Sequence, residues 1–218
     1  MELYKNRTMN IPYNMIHIWV GPLQPPLTWM NTWKEKHPNW TYRIFDEQEF
    51  RNTNFYNQHL IEEYYKRGRF NGVADLIRYE LLYKEGGFLP PADAVCLHNT
   101  EELFVHNNMC YTVYENEKIK PDYVSPILAS PANHPFLKFL IEDLHKLSPS
   151  DLKDKVWEST GNGYVGRMIK EHLPDVKIFP SHYFIPQHYD STERYNGTDK
   201  VYCDQMWGTT KKIYDKGI

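Results

Sequence analysis

The sequence predicts an α/β domain with a mainly parallel sheet flanked by helices. Three observations predict it. Strand-like and helix-like segments alternate along the chain, as they do where crossover helices join parallel strands. The run NMIHIWV at 14–20 reads as a buried first strand and is cut off by Gly21-Pro22. Residues 70–87, FNGVADLIRYELLYKEGG, repeat Val73, Ala74, Ile77 and Leu81 at helical spacing and stop at Gly86-Gly87.

The remaining elements follow in order. Pro25-Pro26 marks a loop, and 27–37 reads as a helix with Trp29 and Trp33 on one face. Thr41 to Phe45 alternates as a second strand, and 47–66 reads as largely helical. After the helix at 70–87 comes a short strand, Phe88-Leu89, ended by Pro90-Pro91, and then an apolar stretch from Ala94 to Leu97. Strands are expected at 109–114 and 123–129, and helices at 135–147 and 164–173. The last quarter, rich in Tyr, Pro and His, reads as loops folded over something. No repeat or low-complexity segment interrupts the chain.

At 218 residues the chain is the size of one domain, able to bury roughly 70% of its unfolded surface without disulfide staples. Cys96, Cys110 and Cys203 are odd in number and fit neither a zinc pattern nor a disulfide framework, which points to a reducing compartment. The opening MELYKNRTMNIPYN has no signal-peptide core, and no apolar run is long enough to span a membrane. A cytoplasmic protein is expected, of a bacterium or of a virus's host cell. The sequons at Asn6, Asn39 and Asn196 then read as chance matches. A net charge of −3 argues against a protein that grips nucleic acid mainly through phosphates. Aromatic residues reach 15%, including 17 Tyr and 6 Trp, whose flat faces and polar edges suit sugars and bases or a Tyr-rich core.

Several residues could carry chemistry. Asp75 and Arg78 lie three apart and share a helix face away from Val73, Ile77 and Leu81. An acceptor beside a donor fork suits a polyhydroxylated ligand carrying phosphate; a surface ion pair is the plainer reading. Asp93 follows the short strand, where ligands bind in open α/β sheets, and could take Mn²⁺ or Mg²⁺ or simply form a turn. Trp19, at the end of the first strand, could stack on a base or sit in the core. His17 reads as a core residue and His134 as a helix cap, while Glu62-Glu63 reads as a solvated face. Tyr183 and Tyr189 could face an acceptor or pack a loop.

Five blocks carry a resemblance. IPYNMIHIWVGPLQPPLTWMNTWKEKHPNWTYRIFDE is similar to the opening of glycosyltransferase family 32, whose members carry a D-x-D sugar-binding motif, and of the glucosyltransferase domains of large clostridial toxins. FNGVADLIRYELLYKEGGFLPPADAVCL resembles their D-x-x-R-Y … G-G … D-x-D block. SPILASPANHPFLKFLIEDL, TGNGYVGRMI and FIPQHYDSTERYNGTDKVYCDQMWGTTK resemble their later H-P-F, T-G and closing W-G elements. The likeness runs in order over residues 11 to 211.

The resemblance implies a single GT-A-type, Rossmann-like domain over 1–218. Its nucleotide-binding half would be about 11–100, and its acceptor side with a closing C-terminal part about 101–218. It implies a retaining transfer of a sugar from a nucleoside diphosphate, UDP more than GDP, to a hydroxyl. The acceptor would be a glycan or a hydroxymethylated base of phage DNA. Trp19 would stack on the base, Asp75 would hold ribose or sugar hydroxyls, and Arg78 would bind the sugar or its phosphate. Asp93 would be the second Asp of the D-x-D, and Gly161 and Asn162 would line the donor. Trp207, Thr209 and Thr210 would close near the leaving phosphate.

The chain departs from the pattern where the first Asp of the D-x-D is Pro91, which offers neither carboxylate nor N–H. Asp204, where relatives often carry His, is expected to share a divalent metal with Asp93. Metal-independent transfer aided by Arg78 is the other reading. A non-catalytic sugar-nucleotide or glycan binder with a degenerate motif is the rival function, and a ligand-free scaffold a third. Lys153, Lys155, Arg167, Lys170, Lys211, Lys212 and Lys216 read either as a local basic patch or as solvated surface.

Overall fold

The computed structural model describes residues 10–214. Asn6 and Lys216 lie outside the described residues. The first half runs β1 (Asn14–Ile18), α1 (Leu27–Lys36), β2 (Thr41–Phe45), α2 (Glu47–Arg51), α3 (Gln58–Lys66), α4 (Phe70–Glu85), β3 (Gly87–Phe88) and β4 (Ala94–Cys96). The second runs β5 (Cys110–Asn116), β6 (Lys120–Val124), β7 (Ala129–Ser130), α5 (Pro135–His145), α6 (Val156–Ser159), α7 (Asn162–His172), β8 (Val176–Phe179), β9 (Cys203–Gln205) and α8 (Gly208–Lys211).

The main sheet has the order β2-β1-β3-β7-β5-β6, with β8 also paired to β5. Its long ladders, β1 with β2 and β5 with β8, are parallel, whereas the antiparallel pairings through β7 and β6 are one- and two-residue contacts. β4 and β9 form a separate antiparallel pair. The alternation of β1 explains the layering. Ile16 and Ile18 face a core shared with Leu60 of α3, Val73 and Ile77 of α4, Leu137 of α5 and Val165 of α7. Met15 faces the opposite core with Trp33 of α1, Phe88 and Phe184.

α4 is the longest helix and carries the apolar stripe read from its sequence: Val73, Ile77 and Leu81 are buried. It stops at Gly86, whose φ of 68° suits glycine. Gly87 is required for a second reason. At φ 110°, a Cβ there would lie 2.3 Å from the Asn14 carbonyl oxygen, so only glycine lets β3 reach β1. Gly166 does the same for α7, where a Cβ would stand 2.0 Å from the Asp122 carbonyl oxygen. Backbone on both sides cannot yield cheaply, so Gly166→Ala should destabilise the fold by about 1–3 kcal/mol or more. The check is a lowered urea midpoint with an unchanged slope.

Three expectations need correcting. The segment 47–66 is two helices. Asn52, Thr53 and Asn54 are poor helix formers, and Glu80 of α4 accepts hydrogen bonds from the backbone N–H groups of Tyr56 (2.7 Å) and Asn57 (2.9 Å), holding the break open. The strand expected at 123–129 is two short strands separated by Pro126, which cannot donate to a ladder. The final quarter contains β8 and β9, strands of four and three residues too short to announce themselves by alternation. His134 is a helix cap, as read: its Nδ1 accepts the Phe136 N–H at 3.2 Å.

Candidate functional site

The parallel strands β1 and β3 end at one edge of the sheet, where the backbone passes into Trp19 and into Leu89 to Asp93. The first half of α4 lies beside this edge because Phe70 packs against Gly21, immediately after β1. That packing places Asp75 and Arg78 on the ligand side expected of an open α/β sheet.

The pair is not the exposed ion pair that its spacing also permits. Arg78 donates through Nη1 to the Leu89 carbonyl and, at 3.4 Å, to the Ile127 carbonyl. Its Nε is buried and has no hydrogen-bond partner among the described residues. Asp75 accepts from the Thr160 hydroxyl at 3.4 Å. Burial pushes its carboxyl up to about 7 although the Arg78 charge and the Thr160 bond pull it down. Tyr79, next on α4, donates to the Thr160 carbonyl at 2.5 Å and so pins the loop that leads into α7. Gly161 follows, and a Cβ there would lie 2.8 Å from Asp75 Oδ2. Asp75 and Gly161 therefore meet.

Asn162, the first residue of α7, faces a buried hub that sequence reasoning missed. It donates from Nδ2 to Glu115 Oε2 at 2.6 Å. Glu115 also accepts from Lys120 Nζ at 2.7 Å and His188 Nε2 at 3.0 Å. These hydrogen bonds and the Lys120 charge outweigh burial and hold its carboxyl below the usual range. Its one sequence signal was position: Tyr111, Val113 and Glu115 fall on the same side of β5, two of them core residues. The His188 ring meets Trp207 edge-on at 5.4 Å.

Trp207 and Asp93 belong to one unit. Asp93 Oδ2 accepts the Gly208 N–H at 2.9 Å, Oδ1 accepts Gln205 Nε2 at 2.7 Å, and the Asp93 carbonyl accepts the Met206 N–H at 2.8 Å. The Trp207 indole donates to the Gln187 carbonyl at 3.0 Å, and its backbone sits at φ 61°, in the left-handed region. Thr209 and Thr210 are exposed on α8. Trp19 donates its indole N–H to the Leu23 carbonyl at 2.7 Å, and Tyr214 meets its ring edge-on at 5.1 Å. Tyr214 was not foreseen. Its hydroxyl lies 3.3 Å from Thr209 Oγ1, and burial with the nearby Asp93 charge pushes its pKa upward.

The expected metal pair does not meet. Asp204 precedes Gln205 on β9 and is turned to Arg194, which it binds through both oxygens at 3.1 and 2.9 Å. Alternation along the strand sends consecutive side chains to opposite sides, so Gln205 rather than Asp204 reaches Asp93. Among the described residues no three His, Cys, Asp or Glu side chains converge on a common point. Asp93 keeps no carboxylate oxygen free of a protein donor. Asp93 and Asp204 therefore do not form the carboxylate pair expected to share a divalent cation.

A separate hollow of about 440 Å³ lies toward the far end of α4, lined by Arg43, Phe55, Glu80, Tyr83 and Lys138 among others. None of the candidate residues borders it, and Arg43 there is already paired with Glu49 and Glu85.

Residues 27–111 match the family described as "Glycosyltransferase sugar-binding region containing DXD motif". That stretch contains Asp75, Arg78 and Asp93. A solved structure titled "PaToxG Glycosyltransferase" is similar in fold, with a TM-score of 0.58 at 12% identity, covering 76% of this chain and 71% of that one. No curated protein sequence matches. Among the described residues, no helix is long and apolar enough to cross a membrane.

Proposed function

We propose that this chain, whose residues 27–111 match a glycosyltransferase sugar-binding region and whose fold is similar to that of a solved glycosyltransferase, is itself a glycosyltransferase, taking its sugar from a nucleoside diphosphate, UDP foremost, and transferring it with retention to a hydroxyl acceptor. The observation that carries the donor class is Arg78. A guanidinium is anchored on two backbone carbonyls at the end of the sheet, and its buried Nε is left without a partner. A buried cationic donor with an unused N–H suits an anionic ligand oxygen. Asp75, beside Gly161 and Thr160, supplies the acceptor that sugar or ribose hydroxyls need. Trp19 offers an indole at the strand end for the base, once Tyr214 gives way.

The chemistry follows from the leaving group. The bond between the anomeric carbon and the diphosphate oxygen breaks, and its electron pair leaves with the phosphate. Arg78, aimed where that charge develops, stabilises it. The acceptor oxygen bonds to the same face of the anomeric carbon, and its proton passes to the departing phosphate oxygen. No carboxylate of the site is assigned as a covalent nucleophile: Asp75 is held by Thr160 and Asp93 by Gln205 and Gly208. Asp93 acts through the closing segment, fixing Trp207 and its neighbours Thr209 and Thr210 near the leaving group.

A thermal-shift screen against UDP- and GDP-sugars, run with EDTA and with Mn²⁺, tests the reading. A ligand that binds the native state raises the midpoint with the logarithm of its concentration. One UDP-sugar should do so and should release free sugar slowly in the absence of acceptor. Binding without sugar release identifies the non-catalytic rival, and no shift with any nucleotide sugar ends the donor assignment.

A further inference from the structure

Aromatic rings cluster beside Gly161 and Gly208. Trp157 of α6 and Tyr123 of β6 lie 5.4 Å apart between centroids, and Tyr189 and Trp207 lie 5.0 Å apart. Lys120 joins the two pairs, with its Nζ 5.6 Å from the Tyr123 ring and 5.3 Å from the Tyr189 ring. The strip borders the donor residues at both ends. Trp157 Cα is among the atoms nearest to Gly161, which touches Asp75, and Trp207 precedes Gly208, which is bonded to Asp93. Asn162 and Gly163 lie along it: a Cβ at Gly163 would lie 3.5 Å from the Trp157 ring and 3.6 Å from the Tyr123 ring. Trp157 and Tyr189 are each 39% exposed.

Large aromatic rings left open to water beside a reaction centre call for an occupant, and the charges around them decide which. Lys120 is paired with Glu115, Lys153 and Lys155 with Glu158, and Lys170 with Asp122. Arg167 lies over the Tyr164 ring. Lys120 and Lys155, the cations that lie over rings of the strip, are therefore each ion-paired. A surface built for a phosphate backbone leaves its cations free. Flat rings with polar edges and balanced charge suit a neutral polyhydroxylated chain, whose C–H faces lie on the rings while its hydroxyls reach Asn162 and Lys120.

We propose that the Trp157–Tyr123–Tyr189–Trp207 strip is the acceptor subsite, and that its occupant is a neutral oligosaccharide. This rests on the transferase reading above. It adds the class of acceptor and the residues that select it.

The test presents the labelled full-length chain, with UDP, to an array of neutral glycans, sulfated glycans and single-stranded DNA oligonucleotides at two ionic strengths. Retention on neutral glycans, little changed by salt, is expected. Trp157→Ala and Tyr189→Ala should each weaken it about tenfold or more, as loss of a central aromatic anchor does. Val105→Ala, an exposed position off the strip, should match the wild type. Two independent variants guard against one that misfolds, and circular dichroism identifies such a case. Salt-sensitive retention on DNA or sulfated glycans alone, no retention at all, or neutral-glycan binding untouched by both variants overturns the proposal. Donor binding by the wild type, measured by calorimetry with UDP-sugars, separates the two failures. A chain that binds donor but no neutral glycan loses only the acceptor assignment, and a chain that binds neither loses the transferase reading as well.

Discussion

Arg78→Ala should lower sugar transfer and donor hydrolysis by about 10²–10³-fold, the range seen when one donor aimed at developing negative charge is removed. Arg78→Lys should recover little of this. A lysine keeps the charge, but it cannot donate to the carbonyls of Leu89 and Ile127 while presenting a second N–H to a phosphate. The loss should fall on kcat and kcat/KM together, because the interaction strengthens as the phosphate leaves. Single-turnover measurements on both variants provide the check, with thermal midpoints to confirm folding. Wild-type turnover in Arg78→Lys would mean that the guanidinium only braces the strand end.

The second large effect concerns Asp75, whose carboxyl rises from 3.8 to about 7 on folding. Between those values the folded state holds a proton that the unfolded state has released. Stability from this group is therefore complete below about 4 and declines as pH rises toward and through about 7. His17 works in the opposite direction. Burial, followed by the nearby Arg78 charge, lowers its pKa to about 3, so it favours the folded state increasingly as pH rises from 3 toward 6.5. The two slopes overlap, and the wild-type profile alone cannot separate them. Asp75→Asn can, because the amide resembles the protonated acid at every pH. The unfolding free energy of Asp75→Asn minus that of the wild type should climb from pH 4 to 7 and then level off, with a span of about 2–4 kcal/mol. Donor affinity should run the other way. It should strengthen through about pH 7 in the wild type, as Asp75 ionises to accept ligand hydroxyls, and be weak and flat in the variant. A difference that stays constant with pH would show that Asp75 has no raised pKa.

The part of this molecule legible in the sequence is the part built from long, periodic segments. The stripe of α4 and the buried run of β1 set the layers, and both appear where their patterns place them. Asp75 and Arg78 were readable because they interrupt the pattern of α4 at a shared face. The break between α2 and α3 was hidden because it depends on Glu80, more than twenty residues downstream. Pro126 marks its strand break in the sequence itself, since it cannot donate to a ladder. Asp204 does not join Asp93, for a reason that spacing cannot convey. The side that a residue on a three-residue strand faces is fixed by its partner's register, and the pairing of Val95 with Asp204 sends that carboxylate to Arg194. Glu115 and Lys120 lay outside every motif, and only the pairing of β5 with β6 brings them together.

A tryptophan at φ 61° holds a conformation that costs an ordinary L-residue about 1–2 kcal/mol. At Trp207 that tension is resisted from both sides, by the indole bond to Gln187 and by the Gly208 N–H on Asp93. The loop behaves as a sprung catch whose pawl is one carboxylate. Losing the Asp93 carboxylate, as in Asp93→Ala, would slacken one side of that grip on the ring.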